Sequence, residues 1–269
     1  MPVRADRNAL DLLDAHLEAL GDGADLPLPR GLAKPADGAS EELVRWALDR
    51  LRHIPREPKD TFGLRVGGLL REVRTRRCPW NAAALRLLDD VYTFAATGPR
   101  RHEDWAHDVL AVLHRSVHDP RGWVSLDWDR RNDARPLGSA YPFDPPAASD
   151  LPGRLYPLEA EAAVGALAVM AEEWQSEPAP VRTRPDRAAV VADARTLLSR
   201  FGSIAGYWTN ATAAASDLAV DFLAAGLQGT RSHTFITSEY VKGLDLLEDL
   251  GLIAVTDDEV GVFWSFGAY

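Results

Sequence analysis

Ser238–Phe266, SEYVKGLDLLEDLGLIAVTDDEVGVFWSF, is the stretch whose reading decides the fold. Ser238 can accept from the free amides of a helix start, and Tyr240, Val241, Leu244, Leu246, Leu247 and Leu250 behind it take up more than half of the expected helix's circumference. Gly251 supplies a stop. Leu252–Val255 is a short apolar run, Thr256-Asp257-Asp258-Glu259 is an acidic turn, and Val260–Phe266 is a second run rich in Val, Phe and Trp, the residues that suit strands. The spacing therefore predicts a helix over 238–250 followed by a β-hairpin.

Upstream, Pro185 stands where a first-turn proline opens a helix over Asp186–Phe201, with Ala189, Val190, Ala194, Leu197 and Leu198 on its apolar side. Thr212–Leu227 carries Leu218, Phe222 and Ala225 on one face, and His233–Ile236 has the length of a short strand. Three helices followed by a hairpin resemble the winged-helix order. The expected fold is thus mainly α: a multi-helix bundle with a C-terminal winged-helix-like subdomain of three helices plus a β-hairpin. The resemblance implies DNA reading, but the charges oppose it. Lys242, Asp245 and Asp249 occupy the polar face of the last helix, beside Glu239 and Glu248, while Asp257, Asp258 and Glu259 sit on the turn. A duplex repels such a surface. The module is expected to dock on a basic protein surface rather than to bind a DNA sequence.

Such a basic surface exists within the chain. Net charge is −10 over 269 residues, but Arg45–Arg77 holds ten Lys or Arg against four acids, while Ala211 to the end holds nine acids against two bases. The basic segment contains a helix over Thr61–Arg77 with Phe62, Val66, Leu69, Leu70 and Val73 at helical spacing. Its last turn gathers Arg74, Arg76 and Arg77, which complement the helix dipole and are candidates for the same docking contact. Self-association or a protein partner follows as the expected interaction.

The rest of the N-terminal half also reads as helices. Leu10, Leu13, Leu17 and Leu20 form one stripe, Leu43, Trp46, Ala47 and Leu51 another, and Asn81–Ala96 is strongly apolar. His102–His118 places Glu103, His107, His114 and His118 within about 60° of one another, with Trp105, Val109, Val112, Leu113 and Val117 opposite. Imidazoles one and two turns apart can converge with a carboxylate on a divalent transition metal. His107-Asp108 and His118-Asp119 resemble the dipeptide of the HD phosphohydrolase superfamily, and the resemblance implies a helical, metal-dependent hydrolase. The face lies opposite the apolar stripe, so its default environment is water.

Residues 126–156, dense in Pro, Asp, Gly and Arg, read as an irregular linker or cover loop between a helical domain at 1–125 and a second at 157–269. Within the latter, Leu158–Gln175 is apolar nearly all round and is expected to be a buried helix with wet, acidic ends. One cysteine, Cys78, excludes an intrachain disulfide and cysteine metal clusters. The glycines match neither a phosphate loop nor a dinucleotide fingerprint. The start MPVRADRNALDLLDAHL has no apolar signal core and the longest apolar run, Ala162–Met170, is too short to span a bilayer, so a cytoplasmic protein without membrane contact is expected. The expected function is non-enzymatic, a protein–protein interaction or regulatory scaffold role without cofactor. The metal-dependent hydrolase is the alternative.

Overall fold

In the computed structural model the described residues are 9–24, 26–29, 32, 38–88, 93–117, 142–172, 174, 180–236 and 246–268. They fall into two compact units, Met1–Ala82 and Ala83–Tyr269.

The first unit buries the three N-terminal apolar stripes against each other. Its helices are α1 (Ala9–Gly21), α2 (Gly38–Arg52) and α3 (Lys59–Arg76). Leu13, Leu17, Val44, Ala47, Val66 and Val73 are fully buried between them. α1 and α3 run antiparallel, with the end of one against the start of the other: a methyl group at Gly63 would lie 2.9 Å from the Gly21 carbonyl oxygen, so glycine permits this approach. At the opposite end Arg74 Nε donates to Asp14 Oδ2 at 3.2 Å, while Arg77 reaches Asp14 and Asp11, each at 3.2 Å.

The second unit is built on a sheet. α4 (Pro79–Leu88) crosses the boundary between the units, and the chain then enters β1 (Thr93–Pro99), α5 (Trp105–Leu113), β2 (Tyr156–Leu158), α6 (Ala160–Val169), α7 (Arg187–Ser199), β3 (Gly206–Thr209), α8 (Phe222–Ala225), β4 (Leu246–Val255) and β5 (Glu259–Ala268). The strand order is β1-β5-β4-β3-β2, with every neighbouring pair antiparallel. Ile253, Val255, Val260, Val262, Trp264 and Phe266 pack on one face against Val109, Val112 and Leu113 of α5 and against Phe143 and Phe235. On the other face of β5, the Phe263 ring meets Phe201 edge-on, and Trp174 Nε1 donates to Ser265 Oγ at 3.0 Å. A methyl group at Gly261 would lie 2.2 Å from the Phe201 ring, so the glycine makes room for it. α6, buried from Ala162 to Val169, packs on α7 and against β3 and β4.

This mixed α/β architecture corrects the expected mainly-α bundle and its winged-helix-like ending. The hairpin forms, but Leu246–Leu250, expected as the last turns of a helix, are the first half of β4. A strand covered on both faces shows no apolar–polar alternation, and LLEDL fits either period. The expected helix over Asn81–Ala96 ends at Leu88, and Thr93 begins β1, an edge strand in which Thr93–Gly98 are buried. Thr212–Leu227 is broken into a 3₁₀ turn at Thr212–Ala215 and the four residues of α8, with another 3₁₀ turn at Leu227–Gly229. The expected strand over His233–Ile236 contributes a single antiparallel bridge, Phe143 to Ile236. Residues 237–245, the start of the expected helix, lie outside the described residues.

Candidate functional site

Three acids buried in the sheet unit are held by hydrogen bonds from within the fold. Asp249 in β4 is fully buried, although the sequence places it on an exposed acidic face. Its Oδ2 accepts from Trp264 Nε1 at 2.7 Å, from Asn210 Nδ2 at 3.1 Å and from the Phe235 amide at 3.2 Å, while Oδ1 has no hydrogen-bond partner. Burial pushes the carboxyl up to about 7, against the opposing pull of the Trp264, Phe235 and Asn210 donors. Asn210 completes the knot: Nδ2 donates to the His233 carbonyl at 2.8 Å and Oδ1 accepts from the Gly251 amide at 2.7 Å. His233 Nε2 lies 2.8 Å from the Tyr156 hydroxyl, with the rings stacked.

Two further acids close loops. Asp108, 2% exposed, accepts from the Arg101 and His102 amides at 3.2 Å and lies 2.7 Å from His102 Nδ1. Burial raises this carboxyl, but the His102 side chain and the two amides together outweigh it and leave it below its ordinary value. Glu172, expected at a wet helix end, is buried and accepts from the Val181 amide at 2.6 Å and the Leu227 amide at 2.8 Å. Each oxygen thereby ties a separate loop to the end of α6.

Three of the four candidate metal ligands lie among the described residues. Glu103, His107 and His114 are exposed; His107 Nδ1 lies 3.7 Å from Asp104 rather than against another ligand. His118 lies outside the described residues. No group of three or more His, Cys, Asp or Glu that could hold a metal occurs among the described residues. The dipeptide His107-Asp108 does mark a chemically special position, but through its aspartate, whose partner is His102. A buried acid six residues from its histidine has no short motif to announce it.

The candidate docking residues fall partly among the described residues. Asp257 and Asp258 stay exposed on the β4–β5 turn, which Arg100 braces: its amide donates to the Asp258 carbonyl at 2.8 Å and Nη1 to the Thr256 carbonyl at 3.0 Å. Lys242 and Asp245 lie outside the described residues. Arg74 and Arg77 are engaged by the acids of α1, and the Arg76 guanidinium lies 4.3 Å from the Trp46 ring centroid while Nη2 donates to Glu72 at 3.0 Å. The basic end of α3 is therefore used within its own bundle.

The solvent side of α3 is different. An open groove of about 630 Å³ runs along it, lined by Gly21, Asp22 and Gly23 at the end of α1 and by Lys59, Asp60, Gly63, Leu64, Gly67 and Arg71 of α3. Leu64 is 77% exposed, whereas Val66, Leu69, Leu70 and Val73 of the same helix are buried in the bundle. Gly67, one turn on, faces open space, since a methyl group there would meet nothing within 4 Å. Asp60 and Arg71 are exposed at the two ends. The sequence carries the signal in the 4-3-4 spacing of Asp60, Leu64, Gly67 and Arg71, which at 3.6 residues per turn puts all four within about 60° of one another. That stripe lies away from the core stripe.

Comparison of the chain with protein-family models, with curated proteins and with solved structures finds no match. No helix among the described residues is long and apolar enough to cross a membrane.

Proposed function

We propose that this chain is a non-enzymatic protein–protein interaction protein whose contact surface is the α3 groove of its N-terminal unit. The observation that carries the reading is Leu64, 77% exposed beside an open groove whose lining also holds Asp60 and Arg71. A single exposed leucine is ordinary, but one set beside bare helix backbone at Gly67 offers a partner both a knob and a recess. Close approach of two helices needs such small residues, because interaxial distance is set by the side chains at the contact. The buried carboxylates support the same reading from the other unit: Asp108 and Glu172 hold backbone amides and Asp249 ties a sheet together, each a structural task.

The test is retention from native lysate by immobilised chain at low salt, with Leu64→Asp beside the wild type. The wild type is expected to retain a protein, its own kind included, that Leu64→Asp releases. Identical retained sets, in proteins with the same circular dichroism, would sink the reading.

A further inference from the structure

Resting on that reading, we infer that the occupant of the groove is a second copy of this chain, seated so that the two α3 helices pack antiparallel about a two-fold axis at the level of residues 65 and 66. The argument is self-complementarity. Asp60, Leu64, Gly67 and Arg71 follow the 4-3-4 spacing of a coiled-coil seam, and an antiparallel partner related by a two-fold presents the same four residues in reverse order. Asp60 of each copy then meets Arg71 of the other, and Leu64 of each copy meets Gly67 of the other. Charge opposes charge at both ends, and a leucine opposes open space twice in the middle.

A parallel pairing of this stripe with itself does worse. A parallel partner would set Asp60 against Asp60 and Arg71 against Arg71, with like charges at both ends and Gly67 against Gly67 between them. The contact is short, at the small end of specific interfaces, so the dimer is expected to exchange with monomer at micromolar concentration.

The experiment is sedimentation velocity of the full chain across a concentration series at low salt, with circular dichroism as the check that each variant is folded. Wild type is expected to shift from monomer to dimer. Leu64→Asp and Asp60→Arg are each expected to weaken the dimer by roughly thirtyfold or more, the first by removing the knob and the second by facing Arg71 with another arginine. The double variant Asp60→Arg with Arg71→Asp is expected to recover the wild-type dimer, because the exchanged charges still meet across the two-fold.

A monomeric wild type at every concentration overturns the inference, as does a dimer indifferent to Leu64→Asp. Loss in the single variants without recovery in the double variant overturns the antiparallel register. A monomeric wild type that still retains a different protein through Leu64 overturns only the self-pairing and leaves the interaction reading standing.

Discussion

Leu64 in α3 and Asp249 in β4 are inverted with respect to one another. The leucine is 77% exposed and the aspartate is fully buried. The inversions differ in cost. Exposing one leucine forgoes roughly 1.5–3 kcal/mol of burial and leaves no unsatisfied group. Burying a carboxylate costs several kcal/mol unless donors meet it, and here three donors converge on one oxygen while the other is left without a partner. The sheet unit surrounds its inversion with indole, amide and backbone donors, whereas the helical unit leaves its own at the surface. A buried polar group needs the rest of the fold to hold it, while an exposed apolar one is free to meet something outside.

The sharpest way to break this comparison is to remove the main donor of the buried knot. Trp264 is fully buried, packs against Phe143 and Phe235, and gives Asp249 its shortest hydrogen bond. Trp264→Ala is expected to cost about 3–5 kcal/mol, read as a fall in the urea midpoint. A loss under about 1 kcal/mol would mean that the knot is not a centre of the sheet's stability.

The second test uses pH. With its carboxyl raised from 3.8 to about 7, folded Asp249 keeps a proton that the unfolded chain releases. Its contribution is therefore complete below about pH 4 and is lost as pH rises through 7, a decline on the order of 4 kcal/mol at most. Asp249→Asn cannot ionise, so its stability is expected to fall less than the wild type's between pH 4 and pH 8. Parallel stability curves for the two proteins would show that burial does not perturb this acid.

Much of the local pattern was legible in the sequence, and the misreadings have physical causes. The leucine stripe of α1, the core positions of α3 and the hairpin around Thr256 are where periodicity puts them. Strand β4 was not legible in its first half, because LLEDL satisfies helical spacing and its acids resemble a wet face. Only Glu248 is wet, whereas Asp249 turns inward to donors contributed from residues 210, 235 and 264. Those contacts are long-range, and no window of local sequence contains them. β1 was hidden for a related reason: the apolar residues after Asp89-Asp90, including the buried alanines at 95 and 96, can be read as further turns of the apolar helix before them. For the groove, the core stripe of α3 was read and the opposite stripe was not, since a leucine among glycines and charges looks like background until its exposure is known.

A third test enlarges a residue where the sheet is tightest. Gly251 pairs with Trp264 across β4 and β5, and a methyl group there would lie 2.2 Å from the indole. Gly251→Ala is expected to destabilise by about 1–3 kcal/mol, because ring and backbone must both move. An unchanged melting temperature would place the indole elsewhere in solution.

The smallest expected effect is also the one that best separates the two inversions. Leu64 touches solvent over most of its surface, so Leu64→Ser at a concentration where the chain is monomeric should alter stability by no more than about 0.5 kcal/mol. Helix propensity alone accounts for a change of that size, since serine is a somewhat poorer helix former than leucine. A loss of 2 kcal/mol or more, the order expected for a core leucine, would mean that the side chain is covered within its own monomer. The contrast with Asp249 would then vanish, and so would the case for a partner at α3. A flat result leaves Leu64 as a residue whose removal the fold does not register, which is what an apolar group available for contact with another molecule requires.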